Sequence, residues 1–136
     1  MENREAYLQY GNEITYEPGA TIYKTGTPPK NNSIFYIIAG LVKIEIALND
    51  GLKFPLYLQP DSVFGIVEPL TESPRLTNAY AMEKSLFYTW DVDNFYLASS
   101  VSWELTYISI TGLTRLLRIL NAEFGEKLGL IRGDTT

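Results

Sequence analysis

Histidine and cysteine are both missing from the 136 residues. Without them no disulfide framework, no zinc or iron–sulfur site of the usual ligand types and no Ser-His or Cys-His nucleophile can be assembled. The sequence therefore asks for no metal and no cofactor. Acid–base work is left to carboxylates, lysines, tyrosines and hydroxyls, which occur on every protein surface, and this argues against an enzyme. Basic residues are in the minority, 11 against 16 acidic, for a net charge of −5. That balance argues against nucleic acid or an anionic membrane as a partner for the surface as a whole. Long apolar runs are missing too: Ile34–Val42 contains Gly40 and falls well short of the roughly 20 residues of a membrane span. The opening Met1-Glu2-Asn3-Arg4-Glu5 has no hydrophobic signal core, so the cytoplasm is the expected location. What is present, 46% hydrophobic and 13% aromatic residues, is enough for one globular domain and too much for a disordered chain.

Short strands separated by turn signals dominate from Glu13 onward, which marks an all-β roll or barrel. Residues 1–12 read as a polar arm or short helix. Ile14-Thr15-Tyr16 and Thr21-Ile22-Tyr23 are strands around the turn Glu17-Pro18-Gly19. Ser33–Ala39 is apolar at every second position on both faces, as in a strand in the middle of a roll. In Leu41–Leu48, Val42, Ile44 and Ile46 alternate with Lys43 and Glu45, giving one buried and one wet face. Asn49-Asp50-Gly51 signals a hairpin with a two-residue turn. Phe54, Leu56 and Leu58 continue the inward face, and Pro55, which lacks a backbone donor, favours an edge. Ser85–Trp90 is the last good strand. Asp91 caps a short helix, Val92–Ala98, and Ser100 or Ser102 starts a long one. In that helix Leu105, Ile108, Leu113, Leu116, Leu117, Leu120, Phe124 and Leu128 recur at spacings of three and four, a stripe broader than one packing face requires. A roll of this kind without histidine is not a His-rich metal-dependent cupin.

Between the roll's strands lies Val63-Phe64-Gly65-Ile66-Val67-Glu68-Pro69-Leu70, a polar loop, and Arg75-Leu76-Thr77-Asn78-Ala79. Main-chain N–H groups at the start of a short helix with a guanidinium a loop away form an anion-binding arrangement. The stretch resembles the phosphate-binding cassette of cyclic-nucleotide-binding domains of the Crp/Fnr regulator family, which reads Phe/Ile-Gly-Glu, a few small or apolar residues, a loop, then Arg-Ser/Thr-Ala. The resemblance runs from about Glu13 to Leu130 and is strongest between Phe35 and Ala81. It implies a mainly β chain: a double-stranded β-helix (jelly-roll) over residues 13–98, a long dimerisation helix over 99–130 and a tail at 131–136. Gly112 would then let two helices approach closely.

The cassette is degenerate. Phe64, Gly65 and Arg75 are kept, but Ile66 stands where the ribose-binding Glu belongs and Leu76 where the Ser/Thr belongs. An unpartnered buried hydroxyl costs about 1–3 kcal/mol, one to two powers of ten in affinity, which argues against cyclic AMP or cyclic GMP. Glu68 lies two places beyond the expected Glu and is expected mainly to complement the helix dipole. Phe64-Gly65-Ile66-Val67, Arg75, Arg118-Ile119-Leu120 and Glu123 instead resemble the family's cyanobacterial nitrogen-regulator branch, which binds 2-oxoglutarate. By that resemblance the ligand contacts are Phe64, Gly65, Ile66, Val67, Arg75, Leu76, Arg118 and Glu123. Arg115 shares a helix face with Arg118. Tyr57, Tyr80 and Tyr88 are candidates for a cavity lining, with ordinary core packing the commoner role.

The expected function is an effector-sensing domain of a Crp/Fnr-type regulator, binding a small anionic metabolite and signalling through a homodimer helix. The competing reading is a ligand-free interaction or dimerisation module in which Ile66 and Leu76 fill the old pocket. Lys127-Leu128-Gly129 resembles the helix end of PrfA-type regulators, which tolerate altered pockets. The sequence contains no recognition helix, so DNA binding by this chain alone is not expected.

Overall fold

A computed structural model describes residues 10–29, 32–47 and 51–124, apart from the side chains of Leu120, Glu123 and Phe124. Eight strands form among the described residues: β1 Asn12–Tyr16, β2 Thr21–Tyr23, β3 Ile34–Ala39, β4 Val42–Ala47, β5 Lys53–Leu58, β6 Val63–Phe64, β7 Asn78–Ala81 and β8 Ser85–Trp90. Three helices accompany them: α1 Val67–Thr71 after β6, then α2 Val92–Val101 and α3 Trp103–Phe124. The strands form two antiparallel four-stranded sheets, β1-β8-β3-β6 and β2-β7-β4-β5. Successive strands cross between the sheets, except for the β4–β5 hairpin within the second sheet, giving the double-stranded jelly-roll expected from the sequence. Pro55 sits on β5, an edge strand, where its missing N–H leaves no inner ladder broken.

Period-two alternation builds two cores from one strand. On β3, Phe35 and Ile37 face the second sheet and pack with Val42, Ile44, Phe64, Ala79 and Phe87. Ile34 and Tyr36 face the other way and pack with Ile66, Trp90, Phe95, Ala98 and Leu105 beneath the helices. Both faces of β3 are thus dry, which is why its sequence shows no polar positions. The inter-sheet core is largely aromatic: Phe35 and Phe64 stack at 4.9 Å, and Phe87 meets them edge-on at 5.8 and 5.4 Å. Gly40, between β3 and β4, has φ +113, and a Cβ there would lie 2.1 Å from the Ser85 hydroxyl, so only glycine fits.

Ala47 pairs with Lys53 across the β4–β5 hairpin, and the Asn49-Asp50 part of the turn signal lies outside the described residues. The expected end of the first carboxy-terminal helix is corrected: the helix runs to Val101, beyond Ala98. Asp91 starts it as expected, its carboxylate accepting from the Asn94 N–H at 2.8 Å. Ser102 both ends α2 and starts α3, its hydroxyl accepting from the Leu105 N–H at 3.2 Å. Of the arm expected at 1–12, β1 already claims Asn12, while residues 1–9 and the sequence after Phe124, with Leu128 and Lys127-Leu128-Gly129, lie outside the described residues.

Helix α3 has two different sides. Leu105 and Ser109 are buried, and Ile108 and Leu113 pack against the helix-side core. On the other side Trp103, Tyr107, Ile110 and Leu117 are exposed, Trp103 at 73% and Leu117 at 68%. With Thr114 these positions follow one another at steps of four and three.

Candidate functional site

Strand β6 delivers Phe64 into the inter-sheet core, and Gly65 then turns the chain with φ +72. A Cβ at residue 65 would lie 3.0 Å from Nη1 of Arg75 and 3.2 Å from the Ser33 carbonyl oxygen. The glycine is therefore required twice, by its backbone angle and by the guanidinium beneath it. Ile66 precedes α1 and buries its side chain against Trp90 and Leu105 rather than facing a ligand. Helix α1 lasts five residues and ends at Glu72, a non-glycine residue in the left-handed region at φ 56. The chain returns to Arg75, whose backbone is fixed by pairing with the β2–β3 loop. Its N–H donates to Thr27 O at 3.0 Å, and its carbonyl accepts from Gly26 N at 2.8 Å.

Arg75 is only 1% exposed and lies under the turn after Gly65. Its Nη1 donates to the Gly65 carbonyl at 2.9 Å and to Glu68 Oε1 at 3.0 Å, and its Nη2 donates to the Ser33 carbonyl. The Tyr23 ring covers the guanidinium, 3.9 Å from ring centroid to Cζ, a cation–π contact in a desolvated place. Burial pushes the Tyr23 phenol up to about 12, against a smaller downward pull from Arg75. Glu68 is itself 6% exposed, and its Oε2 accepts from the Leu76 N–H at 3.3 Å. Among the described residues the Arg75 Nε finds no partner, nor does the buried side-chain amide of Asn32, next in the chain to Ser33.

This geometry revises the sequence reading in detail. The guanidinium, expected to face an anion together with main-chain N–H groups, donates to two main-chain carbonyls and a carboxylate of the chain itself. Glu68, expected mainly to complement a helix end, is the buried counter-ion of Arg75. Leu76 is 61% exposed and fills no pocket, although its N–H joins the site. Val67 is exposed on α1. Arg115 and Arg118 are exposed on α3 and make no hydrogen bond or ion pair among the described residues. The side chain of Glu123 lies outside the described residues. Phe64, Gly65, Ile66, Val67, Arg75 and Leu76 are thus brought together around the β6–α1 turn, and Arg118 is not seen to join them.

Tyr57, Tyr80 and Tyr88 do not line the cassette. Tyr57 is exposed, Tyr80 holds Glu45 and Lys43 on the second sheet, and Tyr88 packs on Trp90. The residues missed were Tyr23 and Ser33. Both reach Arg75 through tertiary pairing (β2 on β7, and the loop leading into β3) that no local spacing signals. No group of histidine, cysteine or carboxylate side chains that could hold a metal occurs among the described residues.

The sequence model of the cyclic nucleotide-binding domain matches residues 13–98, well over half of the chain. The chain belongs to that family. No curated protein matches it in sequence. Among solved structures the domain is similar to the Thermus thermophilus catabolite activator protein, with TM-score 0.72 and 20% identity over 96% of this chain and 59% of that one. It is similar to the heme domain of CooA from Carboxydothermus hydrogenoformans, with TM-score 0.73 and 19% identity over 93% and 87% of the two chains. A cAMP-binding acyltransferase from Mycobacterium smegmatis also shares the fold, with TM-score 0.68 and 21% identity over 91% of this domain and 38% of that chain. The domain thus has the jelly-roll and carboxy-terminal helices of Crp/Fnr-type effector domains, and it spans 59% of the length of the Thermus activator.

Proposed function

We propose that this domain is the effector-sensing part of a Crp/Fnr-type transcription regulator, that it takes a small anionic metabolite at Arg75, and that it passes occupancy to a second copy through α3. It acts in the cytoplasm as a regulator, not as an enzyme. The observation that carries the ligand class is the Arg75–Glu68 pair: the buried guanidinium already donates to a carboxylate, at 3.0 Å, with a main-chain N–H donating to the other oxygen. A metabolite carboxylate that replaces Glu68 leaves the buried charge balanced, whereas emptying the site leaves an uncompensated cation. The absence of a Glu at 66 and the exposure of Leu76 remove two contacts on which a cyclic nucleotide depends, so cyclic AMP and cyclic GMP are disfavoured.

Support for the second copy comes from α3. Trp103, Tyr107, Ile110, Thr114 and Leu117 follow a 3.5-residue period on the side turned away from the roll, the pattern that two helices bury between them. Thermal melts with 2-oxoglutarate, cyclic AMP and cyclic GMP test the ligand. A ligand at a hundred times its dissociation constant adds about 2.7 kcal/mol, a rise in Tm of several degrees. The expected result is a rise with 2-oxoglutarate alone. Three melts that coincide with the apo protein would leave the second reading, a ligand-free dimerisation module, which the occupation of Arg75 by Glu68 favours.

A further inference from the structure

We propose that Glu68 is a tethered occupant of the cassette's anion position: its carboxylate sits where a ligand's acid group would and competes with any free anion for Arg75. The inference rests on the reading of the cassette as an anion site but not on this chain responding to any effector. Glu68 stands one helical turn past Gly65, so the competitor is covalently held beside its receptor at an effective concentration of millimolar order or above. Its two oxygens divide the receptor between them, one on Arg75 Nη1 at 3.0 Å and one on the Leu76 N–H at 3.3 Å. Glu68 and Arg75 are each more than nine-tenths buried, so solvent does little to screen the ion pair.

The occupant is nevertheless an imperfect one. It leaves the buried Nε of Arg75 without a partner among the described residues, a donor that a free anion entering edge-on would gain. The element that carries it is also lightly anchored. Helix α1 has five residues, a left-handed Glu72 at its end, and Val67, Leu70, Thr71 and Glu72 exposed. Such a segment opens at lower free energy than the core strands beside it. Exchange therefore requires only that α1 swing Glu68 out while Arg75 stays fixed by Thr27, Gly26, Ser33 and Tyr23.

Chemical rescue tests this. In Glu68→Ala the receptor is left empty, and sodium acetate should raise its melting temperature in a concentration-dependent way beyond that of sodium chloride at equal ionic strength. The wild-type melt should not distinguish the two salts. Where Glu68→Ala does not fold even in acetate, Glu68→Gln carries the test. It keeps the side chain's volume but gives up the charge, and should bind inorganic phosphate about tenfold more tightly than wild type by calorimetry. Adding Arg75→Gln to either variant should abolish the gain. Acetate acting no differently from chloride on a folded Glu68→Ala would overturn the proposal. So would phosphate affinity in Glu68→Gln no better than wild type, or a gain that survives Arg75→Gln. A wild type that ignores 2-oxoglutarate would count against the sensing reading above and leave this one standing.

Discussion

Arg75 is held by four different kinds of contact at once: a carboxylate, main-chain carbonyls from two segments, an aromatic face and its own backbone pairing. A planar fork can satisfy such a set, while a single ammonium cannot. Arg75→Lys keeps the charge but forfeits at least one carbonyl contact, and should cost about 1–3 kcal/mol in urea unfolding. Tyr23 supplies a pH handle on the same cluster. Its phenol is raised from 10 to about 12 in the folded chain, so the folded state keeps this proton where the unfolded state has lost it. The resulting stabilisation is complete below pH 10 and disappears as pH climbs toward 12, at up to about 1.4 kcal/mol per pH unit. Tyr16 and Tyr88 are also raised by burial and add to the slope. Tyr23→Phe, which keeps the ring over Arg75, should flatten the alkaline loss relative to wild type, and absorbance at 295 nm should lose its latest-titrating phenolate. Neither Tyr23 nor Ser33 could be picked out in the sequence, because each meets Arg75 across a strand pairing and not at a fixed spacing. Phe64-Gly65 and Arg75 could, because the tight turn and the guanidinium demand particular residue types at particular places.

Elements with a local cause were the legible ones. Asp91 announces α2 because a carboxylate there answers a free N–H, and β4 announces itself by alternating Val42, Ile44 and Ile46 with charged residues. Asp91→Ala should lower stability by about 1 kcal/mol, read from the urea midpoint at unchanged slope. Glu68 was misjudged because its place in the first turn of a helix is visible, and its burial under a returning loop is not. The broad apolar pattern of α3 was right in sum, and the structure divides it into a face on the roll and an exposed seam. If that seam pairs two copies, Leu117→Glu should convert a dimer to a monomer in light scattering after size exclusion. The monomer's own core does not include Leu117, so its circular dichroism spectrum should stay unchanged.

At the scale of the whole molecule, β3 is the common wall of two cores, and the domain is stable only while both sides of that wall are filled. Phe87→Ala empties the inter-sheet side, where Phe35, Phe64 and Tyr16 all touch the ring. It should cost about 3–5 kcal/mol, measurable as an early thermal transition. No helix among the described residues is long and apolar enough to cross a membrane, in keeping with the mixed character of α3. The fold class was readable because absence and pattern agreed: no histidine or cysteine for a metal or redox site, and short alternating strands throughout. What lay beyond the sequence was which charges would end up facing each other inside.

The junction at Ser102 has a mechanical consequence. Because one residue ends α2 and starts α3 with no linker between them, a tilt of the long helix about Ser102 would be passed along its whole length. At 1.5 Å per residue its 22 residues form an arm of about 33 Å. A tilt of about 10° at Ser102 would carry the far end by about 6 Å, about one helical pitch. An ångström-scale shift near Ile66 and Leu105, close to the cassette, would thereby be magnified at the tip, as a short handle moves a long oar.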